Sequence, residues 1–163
     1  MRSFPLRLLL LAALASACGP RSSVDEQVGV IEELDTSETG IIAFVREGNY
    51  RAWVAEPAVH DTHRAHGAKV RVFFNDKAVA SLGARNAVHP VGTILVKELY
   101  DSDGVTLHGH ALDVKVSEGP GKDSWLFFES GGPEYRNNYY GRGHATCHGC
   151  HEDGQDYVLT ARP

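Results

Sequence analysis

Thr93-Ile94-Leu95-Val96-Lys97-Glu98-Leu99-Tyr100 decides the fold: it is dense in β-formers, with Pro90 and Gly92 before it and the turn Asp101-Ser102-Asp103-Gly104 after it. A run of this kind between turn residues predicts a strand. Upstream, Lys69-Val70-Arg71-Val72-Phe73-Phe74 predicts another, ending at Asn75-Asp76, from which a helix through Ala78–Leu82 can begin. Downstream, Ala111-Leu112-Asp113-Val114-Lys115-Val116 and Trp125-Leu126-Phe127-Phe128-Glu129 add two more, separated by the turn Gly119-Pro120-Gly121. Strands joined by short turns make an antiparallel sheet. Further upstream, Asn49 is placed to cap a helical turn that sends Tyr50, Trp53 and Val54 inward at i, i+3 and i+4. There is no internal repeat.

Strand alternation sorts the faces. Arg71 and Phe73 point to one side of their strand, and Val70, Val72 and Phe74 to the other. Lys97 shares its face with Thr93, Leu95 and Leu99, which composition alone reads as a snorkelling lysine whose stem covers apolar surface. Alternation puts Glu98 on the face opposite Lys97. For Glu98, Glu129 and Glu134 the expectation is a solvated carboxylate.

The chemistry lies near the C-terminus, where residues 147–151 read Cys-His-Gly-Cys-His. C-x-x-C-H is a haem attachment sequence in exported proteins. Its spacing puts both sulfurs on one side of a helical turn, with the following histidine under the iron. A zinc site would need further ligands at similar spacing, and there is no second cysteine pair. A redox dithiol would want its cysteines between a strand and a helix of a βαβ unit, whereas these follow a glycine-rich loop. Haem is therefore the expected cofactor, held by Cys147 and Cys150 with His151 on the iron.

The only methionine is Met1, so the His/Met ligation of small electron-transfer cytochromes is excluded. The iron is five-coordinate or bis-histidine. His60, His63, His66, His89, His108, His110, His144 and His148 could compete for the sixth position, but His148 is pinned inside the motif. His60, His63 and His66 lie in a polar stretch that reads as surface loop, and His108 and His110 read as solvent-facing strand residues. The expectation is an open sixth site.

The N-terminus reads as a leader: Arg2 to Arg7 supply a positive region and Leu8–Leu14 an apolar run too short to span a bilayer. Ala15-Ser16-Ala17 then precedes Cys18, where a bacterial lipoprotein signal places its lipid-accepting cysteine; the alternative is ordinary cleavage near Ala17. Both routes export the chain, and the first anchors it by lipid on the periplasmic side of a bacterial membrane. Residues 1–17 are thus a lipoprotein-type signal peptide and 18–40 a polar tether with a short helix at Glu26–Leu34. The domain proper is 41–163. Loss of Arg2 and Arg7 leaves 14 of the 16 basic residues against 21 acidic ones, moving the formal charge from −5 to −7. Such a surface repels phosphate backbones, so nucleic acid is not an expected partner. Cys18, Cys147 and Cys150 each have a use, and no disulfide is required.

Together these features resemble the cytochrome P460 and cytochrome c′-beta family. The resemblance is carried by Asn49-Tyr50-Arg51-Ala52-Trp53, His66-Gly67, Val70-Arg71-Val72-Phe73-Phe74-Asn75-Asp76, Pro90, Gly92-Thr93, Val96-Lys97-Glu98, Trp125, Phe127, the Cys147–His151 motif and Asp156-Tyr157-Val158. It spans about residues 41–160 and implies an α+β domain, mainly antiparallel β-sheet with peripheral helices, a C-terminal haem-attachment helix, a homodimer and a five-coordinate haem c. In P460 members the lysine at the position of Lys97 is covalently joined to a porphyrin meso carbon, which replaces the snorkelling reading.

The resemblance further implies oxidation of hydroxylamine or nitric oxide, electrons passing to a redox partner protein. Lys97, Arg71 and Phe73 become candidate catalytic residues, the last two on the distal face. Hydroxylamine oxidation sheds protons, so a carboxylate base would be expected near the bound nitrogen. The alternatives are a non-catalytic c′-beta-like protein binding nitric oxide or carbon monoxide, and a membrane-tethered electron carrier with six-coordinate iron.

Overall fold

The computed structural model describes residues 34–62, 66–132, 134–136 and 138–160. The leader, Cys18, the helix expected at Glu26–Leu34 and His63 lie outside the described residues, Leu34 apart. Among the described residues the fold is α+β, with three α-helices and a wholly antiparallel sheet of seven strands. The strands are β1 (Val54–Ala55), β2 (His60–Asp61), β3 (Lys69–Phe74), β4 (Ile94–Tyr100), β5 (Leu107–Lys115), β6 (Trp125–Gly131) and β7 (Tyr139–Arg142). From β3 to β7 they lie in sequence order, and β1 and β2 both pair with the free edge of β3.

The strands expected from sequence are β3, β4, β5 and β6. β4 is central and buried along six of its seven residues, as a strand covered on both faces must be. One face carries Phe73, Ile94, Val96, Leu112, Val114, Leu126 and Phe128, covered by Ile41 and Val45 of helix α1 (Glu38–Glu47) and by Tyr50. The other carries Val72, Phe74, Leu95, Trp125 and Phe127, against Ala78 and Leu82 of α2 (Asp76–Ala84) and Val158 near the C-terminus. Asn75 starts α2: its Oδ1 accepts from Ala78 N at 2.9 Å and from Ile94 N at 3.1 Å, so one cap also fixes where β4 begins.

Three expectations are corrected. Ordered structure begins before residue 41: Ser37 caps α1, accepting from Gly40 N at 3.1 Å, and Leu34 already packs on the core. Asn49–Ala52 forms a single 3-10 turn, because Gly48 at φ 72 has ended α1 and Val54 enters the sheet opposite Phe74. Val54 is accordingly 47% exposed, while Tyr50 is buried as expected. Finally, His110 is 2% exposed. It sits across from Glu98 under Tyr50 and Tyr135, whereas His108, nearer the strand end, remains exposed as expected.

Candidate functional site

Sheet register assembles the site. Cross-strand partners share a face, so the row Val72, Lys97, Ala111, Glu129 projects to one side, as does the row Phe74, Leu95, Asp113, Phe127. Helix α3 (Ala145–His151) packs over this side. Within it Cys147, Cys150 and His151 stand at i, i+3 and i+4, the positions that share one helical face. The face meets a cavity of about 590 Å³ whose wall includes Val70, Val72, Lys97, Cys147, Cys150 and His151.

Where Lys97 and His151 line it, three charged or ionisable side chains converge. Lys97 Nζ donates to Asp113 Oδ2 at 3.0 Å and lies 3.3 Å from His151 Nε2. Asp113 Oδ2 is 3.6 Å from His151 Nδ1. Lys97, Asp113 and His151 are 7%, 4% and 3% exposed. Burial works to raise the Asp113 carboxyl, but the Lys97 ammonium and the His151 ring outweigh it and hold it below its ordinary value. Burial lowers His151, with Lys97 adding to the effect against Asp113 and the Tyr157 carbonyl. The Cys147 thiol is pushed up to about 12, first by burial and then by the charges of Asp113 and Glu129.

His151 is oriented by the main chain, its Nδ1 lying 2.9 Å from the Tyr157 carbonyl oxygen. A neutral imidazole donating there carries its proton on Nδ1 and leaves Nε2 bare. Phe127 presses edge-on at 5.5 Å and His66 at 5.9 Å between ring centroids. His66 is thus half-buried on the cavity wall rather than in a surface loop, because its Nδ1 is tied to Glu129 Oε2 at 2.9 Å. Glu129 lies on this wall in the same row as Lys97, while Glu134 is exposed.

Arg71 and Phe73 are not brought to this site. They pair with Glu98 and Val96, on the face opposite Lys97, so neither lines the cavity. Phe73 meets the Tyr50 ring edge-on at 5.1 Å, and Arg71 lies over Phe73 at 5.2 Å with Nε donating to the Glu56 carbonyl at 2.9 Å. Glu98 is on that opposite face as alternation placed it, but buried rather than solvated. Its Oε1 accepts from Tyr50 and Arg51 at 2.7 Å and its Oε2 from Tyr100. Burial works against the charge, yet these hydrogen bonds hold the carboxyl below its ordinary value.

Sequence reading missed Asp113. Its signal was an acid inside an apolar strand, but only the β4–β5 register, with Leu95 facing Asp113, shows that it reaches Lys97.

The chain matches no family model and no curated protein.

Proposed function

We propose that the chain is an exported c-type haem protein of the cytochrome P460 type. In this reading the haem is held through Cys147 and Cys150 on α3, His151 is the iron ligand and Lys97 is the further covalent link to the porphyrin. One observation supports it above the others: a lysine 54 positions before His151 has its Nζ 3.3 Å from the histidine's Nε2, in a cavity that also carries both cysteines.

The residues fit the group. The cavity lies within the roughly 300–1,000 Å³ usual for cofactor sites, and Val70, Val72 and Leu159 give it apolar wall. His151 offers the bare nitrogen that iron takes. A lone metal ion would need several converging protein ligands, and among the described residues no group of three or more His, Cys, Asp and Glu is so arranged. A haem iron brings its ring nitrogens with it and asks for one histidine.

Bound there, the group supplies an iron that takes electrons from a small nitrogenous substrate. The chain's own residues do the rest. The Tyr157 carbonyl fixes the imidazole, and Phe127 limits its rotation. Glu129 and His66, joined through Oε2 and Nδ1 on the cavity wall, are the ionisable pair to which this reading would give the protons that hydroxylamine oxidation releases. The leader would export the chain and Cys18 carry the lipid; a redox partner takes the electrons. A second reading, capture of nitric oxide or carbon monoxide without catalysis, draws on the apolar wall of Val70, Val72 and Leu159.

The test is the ferrous absorption spectrum of the purified haem-loaded protein beside Lys97→Ala, with hydroxylamine turnover against an artificial electron acceptor. A strongly red-shifted Soret band that reverts in the variant, with turnover, supports the oxidase. A c-haem spectrum identical in both proteins removes the cross-link. Rapid five-coordinate nitrosyl formation without turnover moves the reading to gas binding, and a low-spin six-coordinate ferrous iron would make the chain an electron carrier.

A further inference from the structure

Immediately after α3 the chain makes a tight reversal. Gln155 and Val158 exchange both backbone hydrogen bonds at 3.0 Å, and the two residues between them, Asp156 and Tyr157, have φ of 44° and 69°. Two consecutive left-handed residues make a turn that favours Asn-Gly or Asp-Gly. Asp tolerates this conformation, but a tyrosine there is strained and persists only where its surroundings over-determine it. This strained residue supplies the carbonyl that binds His151 Nδ1.

The surroundings that hold the turn come from elsewhere in the chain. Lys115, at the end of β5, has its ammonium enclosed: Nζ donates to Asp156 Oδ2 at 2.7 Å, to Ser124 Oγ at 2.7 Å and to the Gly119 carbonyl at 2.8 Å, 5.1 Å from the Trp125 ring centroid. Asp156 Oδ2 also accepts from His89 N at 2.9 Å, and His89 Nε2 lies 3.2 Å from the Gln155 carbonyl. Both side chains of the ion pair are essentially inaccessible, 0% for Lys115 and 1% for Asp156. Asp156 Oδ1 is buried with no hydrogen-bond partner, so the carboxylate is held in place by what Oδ2 gains.

We infer that Lys115 and Asp156 are positioning residues for His151: their buried ion pair locks the Asp156–Tyr157 turn, and the turn fixes which imidazole nitrogen faces the cavity. This rests on the reading of His151 as the iron ligand for its chemical consequence, but the tautomer is a property of the protein alone. Outer partners of a histidine ligand set its orientation and its basicity. Releasing the turn weakens the Nδ1–H bond to the carbonyl, lowers the donor strength of Nε2 and lets the Nε2–H tautomer appear.

The variants are Asp156→Ala and Lys115→Met in the full chain, with Lys122→Met, an exposed lysine outside the ion pair, as a control. Long-range proton–nitrogen correlation on haem-free protein should show His151 as the Nδ1–H tautomer in the parent and control, and a mixture in both variants. In haem-loaded protein, resonance Raman should show the iron–histidine stretch moving to lower frequency and the reduction potential rising. Variants that fold cooperatively yet keep the parental tautomer overturn the inference. If the single variants do not fold, Lys115→Met with Asp156→Leu, which removes the pair without stranding a charge, is read in the same way. Failure of the parent to take up haem would refute the proposed function, while the haem-free tautomer would still decide this point.

Discussion

Asp113 Oδ2 and Lys97 Nζ lie 3.0 Å apart on neighbouring strands, with side chains 6% and 9% exposed. Desolvating two charges is costly, and their attraction offsets that cost only while both are present. Removing one partner strands the other.

Asp113→Leu in haem-free protein is therefore expected to lose about 3–5 kcal/mol of unfolding free energy. Lys97→Met combined with Asp113→Leu should lose much less, since the second change removes the stranded ammonium. Urea unfolding of the parent, both single variants and the double variant checks this as a cycle. Additive single effects would mean that the two charges do not interact in solution.

Much of this was legible in the sequence, for definite reasons. β3 to β6 carry runs of β-formers between glycine and proline turns, and Asn75 announces α2, so local chemistry and tertiary structure agree there. The i, i+3, i+4 spacing of Cys147, Cys150 and His151 was equally plain. What escaped was cross-strand register and what covers each face. Arg71 and Phe73 were sorted correctly within β3, but only their pairing with Glu98 and Val96 puts them opposite Lys97. His110 and Glu98 looked like exposed strand polars because Tyr50, Arg51 and Tyr135, which cover them, come from distant segments.

The placement of Arg71 and Phe73 predicts a separation of stability from site chemistry. Phe73→Ala should cost about 3–5 kcal/mol as a large-to-small change in a packed core, since the ring is 3% exposed against Tyr50. Arg71→Ala should cost about 1–3 kcal/mol, for the lost cation–π contact and the lost hydrogen bond to the Glu56 carbonyl. Neither should move the absorption spectrum or nitric oxide affinity of the haem-loaded protein. A changed nitrosyl spectrum in Arg71→Ala would return that residue to the distal face.

His110 makes the acid side of the stability profile predictable. Its Nε2 lies 2.8 Å from the Tyr50 hydroxyl and its Nδ1 2.8 Å from that of Tyr135, and the charges of Glu98 and Arg51 act on it. Burial lowers it to about 4 from an ordinary 6.5, Arg51 adding to the effect and Glu98 opposing it. Between those two pH values the unfolded chain binds a proton that the folded one refuses, so the stability contributed by neutral His110 is complete above 6.5 and is lost as pH falls toward 4. The loss from pH 7 to pH 5 comes to about 2 kcal/mol. Glu98, held low by its hydrogen bonds, adds a further loss only below its ordinary 4.5. Urea midpoints of the parent should thus fall between pH 7 and pH 5, and His110→Gln should flatten that fall without abolishing it, because His89 and His151 are lowered too. An unchanged slope in the variant would mean that His110 takes up its proton in the folded state.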